Sequence, residues 1–153
     1  MSVIGPWTRK KIYITARTYP TPAKRGAEVS CTAGITEDGE WIRLFPVPYR
    51  FIDFDKRFSK HQWIEADVAK DSDFRPESYQ INVDTITTGE RVGTKNKWQD
   101  RKALIYPLIA PSLCHLQRQR DLNHYPTLGF FKPRSIRRLL IRPIDPNWTE
   151  TDM

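Results

Sequence analysis

The sequence predicts a mainly β fold: a small barrel carrying a short helical insertion. Several stretches of the first half alternate apolar and polar residues with a period of two, as strands with one face toward a core do. Between two of them lies Asp38-Gly39, a strong hairpin signal because glycine accepts a positive φ. Twelve prolines in 153 residues work against long helices.

The first strand is Lys11–Ala16, with Ile12, Ile14 and Ala16 on one face. The run Thr18–Gly26 holds two prolines and a glycine and reads as a loop. Residues 28–35 alternate again, with Val29, Cys31, Ala33 and Ile35 together. After the Glu37–Glu40 turn the chain returns as Trp41–Phe45, ended by Pro46 and Pro48. Gln62–Val68 forms a further strand with Ile64, Ala66 and Val68 inward and Trp63, Glu65 and Asp67 outward. A polar turn over 71–77 leads to a strand marked by Tyr79, Ile81 and Val83. Residues 85–97 are polar and basic and read as an exposed loop. A short helix over Trp98–Tyr106 is stopped by Pro107, and Ser112 caps a second through Leu122, with Leu113 and Leu116 inward and Arg118 and Arg120 outward. Tyr125–Pro133 is loop or edge strand, and Ile136–Ile141 reads as a last strand closed by Pro143. Such an order suits a small OB-like β-barrel with a short helical insertion, or a PUA-like one. The domain expectation is a single compact unit over 1–153, with one full barrel over about 9–90 and a helical, partial second unit over 91–145.

A chain of this length buries about 68–70% of its unfolded surface, enough for a core without disulfides. The two cysteines, Cys31 and Cys114, make no disulfide framework. Met1–Lys11 lacks the apolar run of a secretory signal, and no stretch reaches the ~18 apolar residues of a membrane span. The expected setting is cytoplasmic, with no membrane partner.

Charge is more informative by position than by total. The net charge is +7, yet residues 1–90 hold 13 basic and 13 acidic side chains, which cancel. Residues 91–142 hold 12 Lys and Arg against Asp100 and Asp121 alone. A field so concentrated attracts a polyanion and speeds its encounter.

Period-two geometry puts Trp41, Arg43 and Phe45 on one strand face. Rings interleaved with a guanidinium suit single-stranded nucleic acid, whose bases stack on the rings while arginine meets phosphate; the alternative is a covered face with Arg43 in a salt bridge. Arg134, Arg137, Arg138 and Arg142 form the densest arginine cluster, with forks that match phosphate oxygens; the alternative is pairing with the acids of residues 53–84 or docking onto a protein partner. Arg50, Arg101 and Lys132 complete the candidate nucleic-acid contacts. No Cys-x-x-Cys or His-x₃₋₅-His spacing marks a metal site, and Cys31 reads as a core residue. Glu65 and Asp67 share a strand face and are the best candidates for holding a divalent ion. No Glu-x-Lys partner completes a nuclease set, so no catalytic residue and no cofactor is assigned.

The run Val29–Arg50, with Phe58–Glu65, Asp73–Ser78, Ser112–Leu116 and Leu128–Pro133, resembles the dual OB-containing domain family of prokaryotic proteins. The resemblance implies OB-like barrels and, by fold analogy only, nucleic-acid binding. The leading expectation is thus a non-catalytic module for single-stranded RNA or DNA. A protein-interaction module of a prokaryotic defence or mobile-element assembly is the alternative, and a metal-dependent nuclease the third.

Overall fold

The computed structural model describes residues 2–22 and 28–143; residues 23–26 of the first loop and 144–145 of the expected second unit lie outside them. Five strands form the body: β1 (Thr8–Arg17), β2 (Glu28–Thr36), β3 (Trp41–Val47), β4 (Gln62–Lys70) and β5 (Ser78–Arg91). β1 pairs with both β2 and β4, β2 with β3, and β4 with β5, all antiparallel. A parallel pair, Arg43 with Ser78 and Leu44 with Tyr79, joins β3 to β5. The order β1-β2-β3-β5-β4 therefore closes on β1 as a small five-stranded barrel.

The barrel is filled by Ile12, Ile14, Ile42, Leu44, Val47, Ile64, Ala66, Val68, Ile81 and Ile86, and by Ile52 and Phe58 from the β3–β4 connection. Two short 3₁₀ turns, Tyr49–Phe51 and Phe54–Lys56, carry that connection. The Tyr49 hydroxyl donates to the Phe58 carbonyl and holds the plug in place. Asp38-Gly39 makes the hairpin turn as its chemistry dictates, with Gly39 at φ 83°.

β2 faces the opposite way from its apolar pattern. Ser30, Thr32 and Gly34 point inward and are buried, while Val29, Cys31 and Ala33 lie half-exposed outside. Crowding is the reason: a Cβ on Gly34 would lie 2.6 Å from Ile12 Cγ2 and 2.8 Å from the Tyr13 carbonyl oxygen. Small residues admit β1 there, and Cys31 is not a core residue. Ala16 is exposed because an irregularity between Ile14 and Ala16 shifts the β1 register.

Other boundaries also moved. β3 runs through Pro46 to Val47. β5 continues to Arg91 instead of ending in a loop at Thr85: Thr85-Ile86-Thr87-Thr88 is strongly β-prone, and its ladder with β4 pairs Thr88 with Ile64.

Beyond the barrel, α1 (Lys95–Ile105) opens with Asn96, Lys97 and Trp98 at positive φ, and α2 (Leu113–Leu122) is capped by Ser112, whose Oγ accepts from the His115 amide at 3.1 Å. A second cluster forms on the outside of the barrel. Tyr13, Ile35, Trp41 and Trp63 project from four strands, and Val92, Leu104, Leu108 and Phe130 cover them. α1 thus docks on the barrel wall. Ile109–Ala110 and Phe130–Phe131 make a two-residue parallel ladder that ties the chain on both sides of α2. Leu116 packs inward against Gly129, whereas Leu113 is 59% exposed. Residues 136–141 join no ladder, and Ile136, Leu139, Leu140 and Ile141 are all exposed. Their apolar pattern pairs with no described strand.

Candidate functional site

The outer side of β3 brings rings and guanidiniums together. Arg43 points away from the barrel interior as period-two geometry requires, yet it is only 8% exposed. The β4–β5 loop, residues 71–77, folds over it. Arg43 Nη1 donates to Ser78 Oγ at 2.8 Å and lies 3.7 Å from Asp73 Oδ2. Its backbone amide donates to the Glu77 carbonyl at 2.7 Å.

The loop is held by its own polar groups. Asp73 Oδ1 accepts from the Arg75 amide at 3.0 Å and from Arg75 Nε at 2.8 Å, and Arg75 Nη2 reaches Asp73 Oδ2. Hydrogen bonding from Arg75, reinforced by its charge and that of Arg43, holds the Asp73 carboxyl well below the usual carboxylate range against the opposing effect of burial. Asp73 in turn raises the Arg75 guanidinium. Lys70 Nζ straps the loop by donating to the carbonyls of Arg75, Pro76 and Ser78 at 2.7–3.0 Å. Buried Asp71 accepts from the Asp73 amide at 3.0 Å and from Ser78 Oγ at 3.3 Å. Lys70, Arg43 and Arg75 are thus set against Asp71, Asp73 and Glu77, a balanced cluster.

An arm, residues 123–131, lies along the same side. Glu77 Oε1 accepts from both the amide and the hydroxyl of Thr127 at 2.7 Å. Glu77 Oε2 is buried without a hydrogen-bond partner among the described residues. The arm's Tyr125 ring meets Phe74 edge-on at 6.4 Å, and its Phe130 ring lies 4.6 Å from Trp41. Phe74 is 73% exposed and Tyr125 49%. Guanidinium carbons stand near three of these rings: Arg43 at 4.7 Å from Phe45, Arg75 at 5.9 Å from Phe74 and Arg120 at 5.6 Å from Tyr125.

The residues singled out in the sequence fall into three groups. Trp41, Arg43 and Phe45 sit on the outer face of β3, but Trp41 is half-buried under Phe130 and Arg43 is engaged by Ser78 and Asp73. Arg50 is exposed and 2.7 Å from Glu28 Oε2, while Arg101 Nε donates to the Val92 carbonyl at 2.9 Å. Lys132 stands 5.9 Å over the Tyr106 ring. Arg134, Arg137 and Arg138 are exposed and make no ion pair with any described residue. Glu65 and Asp67 flank Arg9 at 3.7 and 3.6 Å. No group of three or more metal-ligating side chains occurs among the described residues.

Phe74, Arg75, Glu77 and Tyr125 were missed. Asp73–Ser78 was visible as a distinctive block, but its meeting with β3 depends on the parallel β3–β5 pair, which no local pattern reveals.

A family model described as "Domain of unknown function (DUF8758)" matches residues 8–107. The chain belongs to this family. The DUF8758 match spans the five strands and α1 and stops before α2, the arm and the basic segment. No curated protein and no solved structure matches the chain. Among the described residues, no helix is long and apolar enough to cross a membrane.

Proposed function

We propose that the chain is a non-catalytic module that binds single-stranded nucleic acid along the outer side of β3. OB-fold barrels bind oligonucleotides on the face of their second and third strands and on the loops flanking it. The strand order of this barrel and the resemblance to dual OB-containing proteins support counting it among them. Phe45, Phe74 and Tyr125 offer ring faces, and the cations from Lys132 to Arg142 offer phosphate contacts.

The observation that carries the proposal is the Trp41–Phe130 contact. It ties the chain just before Lys132, where the basic segment begins, to the outer side of β3. Fluorescence anisotropy with labelled single-stranded RNA and DNA at low salt tests it. Binding that weakens steeply with salt is expected; absence of binding to both at low salt rejects the proposal.

A second reading draws on a separate observation. Ile136, Leu139, Leu140 and Ile141 are 60–83% exposed beside Arg137 and Arg138. Aliphatic residues this exposed in a row mark an interaction surface, here for an acidic protein. Co-purification of one stoichiometric acidic protein free of nucleic acid would favour this reading.

A further inference from the structure

A groove of about 640 Å³ opens between α2 and the arm, within the ~300–1,000 Å³ range of small-ligand sites. Trp41, Leu116, Leu128 and Phe131 contribute apolar surface, and Gln117 and Arg120 are polar lining residues. Phe131 is 41% exposed and Leu113, on the α2 side, 59%, so this surface is not closed by the fold itself. Between Leu122 and Ile144 the sequence has no Asp or Glu and five Lys or Arg.

We propose that this groove takes one unstacked nucleobase of a bound single strand, a specific subsite that rests on the nucleic-acid reading above. Three features favour a nucleobase over a purely aliphatic occupant. Two rings, Trp41 and Phe131, lie in the lining, where a flat π-system gains most. The Gln117 amide carries both a donor and an acceptor, as the edge of a base requires. Arg120, in the lining, supplies positive charge for a phosphate beside the base. An apolar peptide would satisfy the rings but leave the charge unanswered.

The test uses the full chain and three labelled probes: a mixed-sequence 12-nucleotide DNA, its RNA counterpart and an abasic strand of equal length and charge. Affinity for the base-bearing strands should exceed that for the abasic strand by at least tenfold, the scale of one stacked base. Phe131→Ala, at a half-exposed ring, should cut that preference by about tenfold while leaving abasic binding unchanged. Arg120→Gln should weaken binding to all three probes together. Circular dichroism of each variant establishes that the barrel is retained. If Phe131→Ala keeps the full preference, bases are read elsewhere and the groove proposal fails while nucleic-acid binding stands. If the wild-type chain binds base-bearing and abasic strands equally, the groove proposal also fails. If it binds none of the probes, both proposals fail.

Discussion

Asp73 couples the β4–β5 loop to pH. Its carboxyl stays ionised in the folded chain well below the ~3.9 of an unfolded aspartate. It therefore contributes stability that is present above about pH 4 and lost as pH falls from there through the folded value. Urea denaturation should find Asp73→Asn less stable than wild type at pH 7, with the gap narrowing below about pH 4. A gap independent of pH would show that the Arg75 and Arg43 contacts do not set the titration. Gly34 is the other residue with a sharp expectation. A methyl group there meets Ile12 and the Tyr13 carbonyl below 3 Å, so Gly34→Ala should cost about 1–3 kcal/mol by overpacking, measured by the same denaturation. Neither Gly34 nor Arg43, the partner of Asp73, announced its role in the sequence. Gly34 reads as an ordinary strand glycine until β1 crosses it, and Arg43 reads as a surface cation until loop 71–77 covers it. The alternative of a salt-bridged Arg43 was written in its residue type; the identity of its partner was not.

At the scale of elements, the strands were legible and the attachments between them were not. Alternation located β1 to β4 because one face of each strand is buried; it misassigned the faces of β2 because this barrel's interior takes small polar residues at the crowded crossing. The β5 extension was hidden by polar threonines whose preference is nonetheless for strand. The arm was invisible because its anchors, Glu77 and Trp41, lie 50 and 89 positions away from Thr127 and Phe130. That anchoring is open to a direct check. Thr127→Val removes the hydroxyl donor to Glu77 and keeps the amide donor, a loss of about 1.5–3 kcal/mol for a hydrogen bond to a charged group. Amide exchange in residues 123–131 should accelerate while exchange in β1 and β4 stays unchanged. Unchanged exchange in the arm would mean that the Thr127 hydroxyl does not hold it.

For the whole molecule, the asymmetric charge is the feature that sequence and fold express together. Five cations between Lys132 and Arg142 follow the arm off the barrel. Replacing all five by glutamine should lower the salt slope of single-strand binding by as much as about 3.5, at ~0.7 per neutralised phosphate. An unchanged slope would move the phosphate contacts to α1 or to the barrel itself. The barrel also dictates the order in which the chain assembles. Joining β1 to β4 brings Ile12 to Ile64, and joining β3 to β5 brings Arg43 to Ser78, so closure waits on long loops and is slow for a chain this small. Glu77 lies between β4 and β5, and Thr127 has no carboxylate to bind until both have paired. The arm therefore docks last, onto a wall that barrel closure has already assembled.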